Sequence, residues 1–501
     1  MLTVHQSPET PPRSALRRFL NAFLFLSQPG QRNARASRSR LCRSHASSRL
    51  RRVLAALCLL AGITARADTD YSKETAVPGP QWLRDGVLYE IFPRDFSPTG
   101  NLNGVTARLD ELKDLGVTIL WIMPIHPIGE KFRKGGFGSP YSISDYYAVD
   151  PNYGTVDDFK RLVHEAHKRN LKVIMDLVAN HTAWDSVMMA HPEFYKQDAK
   201  GKLMPPVPDW TDIAGLNYTN LQLQAYMIAM LKHWIQECDV DGFRCDVAYM
   251  VPTDFWVQAR AEMKQVKPDI MLLAEASKPE LLAKAFDIDY AWPMLSALNN
   301  VLIHGAPASD LRTSWEESRR EFPRGSLHMR VSDDHDEARA VARYGIRGAL
   351  AASAFLFTLD GTPLLYNGME VGDATESGDP ALFDKLTIFW HPKERPPLRA
   401  IYRELIRLRK QYPAFRSDHV VWLHNSDESN LVTFLRPDDN DEFAVVINMS
   451  SRPVAGWIEL KNGQEFKPVR IPGTTEAPIG ALPVFRLNGF EWRIYHRTVP
   501  R

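Results

Sequence analysis

At 501 residues, with 44% hydrophobic and 24% charged side chains, the chain is long enough for one large domain and a smaller companion and is neither disordered nor fibrous in composition. The formal charge of +1 hides an asymmetry: residues 1–67 hold 12 arginines, no lysine and one acidic residue, leaving 49 basic against 59 acidic residues in 68–501. That net of −10 argues against a nucleic-acid partner, which would draw on a basic face.

The N-terminus reads as a targeting segment. "LRR" at 50–52 precedes the 12-residue apolar run "VLAALCLLAGIT" and the small-x-small triplet "ARA" at 65–67. A basic region, a short apolar core and a cleavage signal predict an export leader over 1–67, a mature start near Asp68, and a periplasmic or secreted product. The apolar core is too short for a stable membrane span. Cys42 and Cys58 fall in the leader; Cys238 and Cys245 remain in the body, too few for a disulfide framework.

From residue 86, β-rich runs alternate with helix-length amphipathic segments. The predicted strands lie at 87–96, 118–125, 171–180, 242–248, 270–277, 286–292, 327–335 and 362–368. Eight such units over some 300 residues favour a closed (β/α)8 barrel, an α/β fold, over an open doubly wound sheet. No GxGxxG follows a strand, which weakens a dinucleotide-binding alternative. After the third strand comes a segment of about 40 residues, 181–220, rich in aromatics and prolines, and a loop of that length is usually functional. Beyond about 415 the texture changes to short alternating strands such as "LVTFLRP" and "EFAVVINMS". The expected organisation is therefore a leader (1–67), a catalytic barrel (68–415) carrying an insertion at 181–220, and a C-terminal antiparallel β-sandwich (416–501).

The segment "DGFRCDVAYM" (241–250) sets Arg244 and Asp246 two residues apart in an apolar run. If extended, it points both to one face and Phe243, Cys245 and Val247 to the other. An Arg–Asp pair at a strand end is also a common structural device. The active site of a parallel barrel, however, lies at the carboxyl ends of its strands, and several polar residues fall there together. Asp176, Asn180 and His181 follow the third strand, Arg244 and Asp246 the fourth, Glu275 the fifth, and Asp334, His335 and Asp336 the seventh. Arg244 beside Asp246 would keep that carboxylate ionised, as a nucleophile requires. The apolar run before Glu275 would raise its pKa, as a general acid requires. Two carboxylates so differentiated suit glycosidic bond cleavage, where a retaining enzyme holds them about 5–5.5 Å apart. His181 and His335 would then be neutral donors to sugar hydroxyls.

In order, "YSISDYYAVDPNYGTVDDF" (141–159), "DLVANH" (176–181), "GFRCD" (242–246), "LLAEA" (272–276), "DHD" (334–336) and "GTPLLYNGME" (361–370) resemble the α-amylase family, glycoside hydrolase family 13, over nearly all of 82–501. The resemblance implies the barrel, a short domain B after strand three and a C-terminal β-sandwich. It makes Asp246 the nucleophile, Glu275 the acid/base and Asp336 the stabiliser of the oxocarbenium-like transition state. Arg244, His181, His335 and Tyr141 would bind the sugar at the cleavage subsite, and Asp176 would orient Arg244.

Three departures matter. Asp334 stands where the family has Asn, which adds a negative charge near Asp336. "VAYMVP" (247–252) lacks the Lys-His pair that helps many members bind substrate and calcium, and "IAGLN" (213–217) matches neither the α-glucosidase nor the neopullulanase pattern. The chemistry itself needs no cofactor; a structural calcium would use Asn180, with help from Asp209 or Asp212. The expected activity is retaining hydrolysis of α-1,4 bonds in starch or maltooligosaccharides. Neopullulanase- or cyclomaltodextrinase-like, α-glucosidase and transglycosylase activities use the same residues. An inactive carbohydrate-binding module is the alternative of a different class. Oligomeric state is not readable from this pattern.

Overall fold

The computed structural model describes residues 69–375, 379–391, 398–472 and 481–499; the leader expected at 1–67 lies outside them. Strands β1 (Leu88–Ile91), β2 (Ile119–Ile122), β3 (Lys172–Leu177), the short β4 (His181–Ala183) and β5 (Ile213–Gly215), β6 (Gly242–Cys245), β7 (Met271–Ala274), β8 (Ile288–Tyr290), β9 (His328–Arg330) and β10 (Thr362–Tyr366) follow in chain order. All but β4 and β5 pair in parallel and close into an eight-stranded barrel, in the order β1-β2-β3-β6-β7-β8-β9-β10. Such strands are covered on both faces, which is why their sequences read as short unbroken apolar runs.

The two-residue period sorts side chains between two cores. Leu88, Ile119, Trp121, Ile174, Met271, Leu273, Ile288, Tyr290, Met329 and Leu364 point inward and fill the barrel. Tyr89, Leu120, Val173, Met175, Phe243, Cys245, Leu272 and Leu365 point outward to the helices. On β3 and β6 this phase places Asp176 and Arg244 inside, and they are direct partners in the ladder between the two strands.

The helices are set by local signals. In Val156–Lys168, Thr155 and Asp158 form a reciprocal capping box. Phe159, Leu162, Val163 and Ala166 of that helix are buried at three- and four-residue spacings. Asn220 caps Leu221–Cys238 by accepting from the backbone of Gln222 and Leu223.

The excursion after β3 is built on the β4–β5 hairpin, with His181 opposite Gly215, and two short 3-10 turns at Val187–Ala190 and Pro192–Phe194. Beyond the helix Leu398–Gln411 the chain forms β11 (Val421–Trp422), β12 (Leu431–Pro437), β13 (Asp441–Asn448), β14 (Val454–Trp457), β15 (Lys467–Pro468), β16 (Val484–Leu487) and β17 (Trp492–Thr498). Five of these make an antiparallel sheet, β11-β12-β13-β17-β15, and β14 pairs with β16. Ala444, Val446, Tyr495, Val454, Phe485 and Leu487 from both sheets share one core, the two-layer packing of a sandwich. The opposite face of the larger sheet, with Phe434, Phe443, Val445 and Ile494, joins the core on the outside of the barrel.

Two fully buried arginines lie at that seam, Arg409 on the barrel side and Arg436 reaching across from the sandwich. Arg409 donates to the carbonyls of Phe415, Leu359 and Gly361. Arg436 donates to those of Thr358, Ala414 and Ser417.

Candidate active site

Arg244 is completely buried, and its guanidinium organises the carboxyl-terminal mouth of the barrel. Nη1 donates to Asp176 Oδ1 at 2.9 Å and to Asp246 Oδ1 at 3.0 Å. Nη2 lies 2.9 Å from Glu275 Oε2, close enough for charge attraction but not aligned as a hydrogen bond. The rings of Trp121, Tyr141 and Tyr290 surround the cation with their centroids 5.2, 5.6 and 5.8 Å away. The costly burial of one charge is thus offset by three carboxylates and an aromatic cage.

Asp176 is held from its other side: Oδ2 accepts from Trp121 Nε1 and from Tyr141 Oη, both at 3.1 Å. It orients Arg244 and presents no free face.

Asp246 and Glu275 end adjacent strands. Burial and the negative charge of Glu275 push the Asp246 carboxyl well above its ordinary range, with Arg244 opposing them. Burial also raises Glu275, again against Arg244. Burial and repulsion thus pull both carboxyls toward the protonated form against the one guanidinium, a pull that the expectation of an ionised Asp246 beside Arg244 left out. Glu275 Oε2 also accepts the Val247 N–H at 2.7 Å. Val247 makes that bond with φ of +36°, a region that a β-branched residue enters only under constraint.

The two histidines are opposites. Burial pushes His181 down to about 3, so it is neutral; its Nδ1 faces Asn180 Nδ2 at 3.3 Å and its Nε2 lies 4.0 Å from Asp246 Oδ2. His335 is not the neutral donor expected from sequence. Against burial, the charges of Asp336 and Glu90 raise it to about 10, and both ring nitrogens have acceptors. Nδ1 meets Glu90 Oε1 at 2.5 Å, and Nε2 meets Tyr141 Oη at 2.7 Å and Asp336 Oδ2 at 3.3 Å. Tyr141 stacks on the His335 ring at 5.3 Å. Asp336 is the open member of the group, its side chain 41% exposed.

Asp334 is likewise corrected. It is fully buried; Oδ1 accepts the N–H groups of Asp336 and Glu337 at 3.1 and 3.0 Å, while Oδ2 has no hydrogen-bond partner. Burial and the neighbouring Asp336 push its carboxyl well above the ordinary range. These pull Asp334 toward its protonated form, which is isosteric with Asn.

Calcium takes six to eight oxygens, which the candidate ligands would have to supply. Asn180 turns its amide nitrogen toward His181, and the same nitrogen lies 3.8 Å from the Met250 sulfur. Asp212 is paired with Lys134 at 2.8 Å, and Asp209 is exposed. Among the described residues no group of three or more His, Cys, Asp or Glu side chains gathers to hold a metal.

The structure thus brings together every catalytic and sugar-binding residue expected from sequence. Sequence reasoning missed Glu90, Trp121 and Tyr290. Glu90 carried a usable signal: it is an isolated carboxylate inside "VLYEIF", as conspicuous as Arg244 inside its own apolar run.

An arginine-bridged carboxylate pair with a third acid beside it, at the carboxyl end of a parallel barrel, is the equipment of a glycoside hydrolase. Residues 68–201 and 208–391 match the family model for the α-amylase catalytic domain. The chain belongs to the α-amylase family. It is 29% identical over 411 residues to the α-amylase MalA of Haloarcula japonica, covering 78% of this chain and 58% of that relative. It is 28% identical over 421 residues to a cyclomaltodextrinase of Geobacillus thermopakistaniensis, covering 74% and 70%. Among solved structures, an α-amylase from Lactobacillus plantarum superposes with a TM-score of 0.74 at 30% identity, covering 83% of this chain and 99% of that one. The maltogenic α-amylase AmyB from Thermotoga neapolitana gives the same TM-score and identity, covering 83% and 100%.

Proposed function

We propose that the protein is a retaining hydrolase of α-1,4-glucosidic bonds in starch and maltooligosaccharides. The observation that carries this reading is the single guanidinium of Arg244 reaching both Asp246 and Glu275, which holds two carboxyl groups together at the mouth of the barrel. Asp246 attacks the anomeric carbon as Glu275 passes its proton to the glycosidic oxygen, giving a β-glycosyl ester. Glu275, now ionised, takes a proton from water; the water opens the ester and the sugar leaves with α configuration. The aligned bond from Arg244 to Asp246 favours the anion on Asp246 and the proton on Glu275 when substrate is bound. Asp336, the exposed carboxylate, grips sugar hydroxyls while His335 holds Asp336 and Tyr141 in place behind it; Tyr141 lies beneath the ring, and neutral His181 donates from the Asp246 side. The positive charge fixed on His335 also balances Asp336, so that four carboxylates can share one cleft.

Relatives called α-amylase, cyclomaltodextrinase and neopullulanase share this family. The finer assignment is an endo-acting α-amylase with no metal needed for the chemistry. The pattern at 50–67 supports export, which the N-terminal sequence of material recovered outside the cytoplasm would test. The activity is tested by the products of residues 68–501 on soluble starch, maltotriose, pullulan and β-cyclodextrin, with the anomer recorded by NMR. Mixed α-maltooligosaccharides from starch support the reading. Panose from pullulan, or preference for the cyclodextrin, moves the name while keeping the chemistry, and turnover of none of the four rejects the reading.

A further inference from the structure

The loop 129–138 carries an aromatic feature that the catalytic group does not use. Phe132 has φ of +62°, a left-handed conformation that ordinary side chains rarely adopt, and its ring is 62% exposed. A turn that only had to close would place glycine there, as this loop does at Gly135 and Gly138, both at positive φ. The turn is also firmly tied. The N–H groups of Glu130 and Lys131 donate to Asp185 Oδ2 at 2.8 and 3.0 Å, and Lys134 pairs with Asp212 at 2.8 Å. Strain and exposure of a large ring, imposed by an otherwise well-bonded turn, point to a use for the ring.

Its surroundings indicate which use. Phe132 meets the half-buried Trp184 edge to face, with centroids 6.2 Å apart and planes at 89°. Trp184 donates its Nε1–H to the Thr211 carbonyl at 2.9 Å. The preceding residue, Trp210, lies edge-on to His181 at 5.8 Å. Two aromatic pairs, Phe132–Trp184 at the loop and Trp210–His181 beside Asp246, are therefore joined through the Thr211 backbone. The Lys131 ammonium lies 5.6 Å from the Phe132 ring. A pyranose ring has apolar C–H faces and a hydroxyl rim, so it calls for aromatic faces interleaved with hydrogen-bonding groups. An apolar protein partner would be poorly served by an exposed ring with a charge beside it.

We propose that Phe132 and Trp184, continued by Trp210, form a remote subsite that stacks glucosyl units of a linear α-glucan beyond the bond being cleaved. This rests on the hydrolase reading above. The loop makes the enzyme sensitive to chain length: a substrate long enough to reach Phe132 gains a contact that maltotriose does not.

The test is Phe132→Gly, which removes the ring and relieves the positive φ, so that loss of fold is not at issue; Phe132→Leu is the companion that keeps bulk without an aromatic face. In the active enzyme, the ratio of kcat/KM for maltoheptaose over maltotriose should fall about tenfold in both variants, the scale of one stacking contact. Calorimetry with maltoheptaose in the Asp246→Asn background measures binding without turnover: affinity should drop by a similar factor when Phe132→Gly is added. An unchanged ratio, unchanged affinity, or no binding of maltoheptaose to Asp246→Asn overturns the subsite. A wild type that binds maltoheptaose through Phe132 yet cleaves no glucan would sustain the subsite and reject the hydrolase reading.

Discussion

Glu90 and His335 face each other at 2.5 Å across the floor of the cleft, a carboxylate on the first barrel strand against an imidazole 245 residues later. Together with Asp336 this contact keeps the ring protonated far above its ordinary pKa.

Glu90→Gln keeps a hydrogen-bond acceptor but removes the charge. The variant should lose about 2 kcal/mol of stability near neutral pH, the scale of a buried charge-assisted bond. A raised histidine contributes stability that is complete below its unfolded pKa of about 6.5 and is lost as pH rises through the folded value of about 10. The deficit of Glu90→Gln in urea denaturation should therefore narrow between pH 7 and pH 10; a deficit independent of pH would show that His335 is not the group involved.

Asp334→Asn replaces a buried acid by its neutral isostere. Because the folded-state pKa of Asp334 is raised, its contribution is complete below the unfolded value of about 4 and is lost as pH climbs toward the folded one. The variant escapes that loss. It should match wild type at pH 4 and exceed it increasingly through pH 7 and 8 in the same denaturation assay; equal stability at every pH would mean that the carboxyl ionises without cost.

Asp246→Asn should abolish turnover of maltooligosaccharides by at least about 10⁴-fold, as loss of a group acting covalently does. The same change removes a buried charge facing Glu275. Calorimetric melting at or above the wild-type temperature is expected, with function and stability moving in opposite directions. A variant that melts well below wild type would count against the burial and repulsion that raise this carboxyl.

Chelator should leave the melting temperature of the purified protein unchanged, and millimolar calcium should not raise it. The Lys134 ammonium already neutralises Asp212, and Asn180 is turned toward a histidine and a thioether. A shift of several degrees in either direction would place a metal site elsewhere in the chain.

Much of this architecture was legible in the sequence because it follows from periodicity. All eight barrel strands occur where short β-rich runs between helical segments placed them, and the two-residue phase put Arg244 and Asp246 on the inner face. The predicted strands overran at their carboxyl ends: the segment read as 171–180 is a strand only to Leu177, and that read as 242–248 only to Cys245. The apolar character continues past the last ladder bond because those residues still pack, but the chain there is turning to aim Asn180, His181 and Asp246. Charge states were less legible. The raised pKa values of His335 and Asp334 depend on which groups burial brings within reach, and Glu90 approaches His335 only once the barrel closes on itself.

The seam between barrel and sandwich has its own consequence. Arg409 and Arg436 bind main-chain oxygens, a kind of partner that every amino acid supplies. The residues contributing those carbonyls can drift in identity without loosening the joint, provided the backbone keeps its path. Lysine keeps the charge but replaces the planar fork of five donors by one ammonium, which is less suited to carbonyls spread around each guanidinium. Genetic tolerance along this boundary should therefore be sharply uneven, with two immovable positions set among permissive ones.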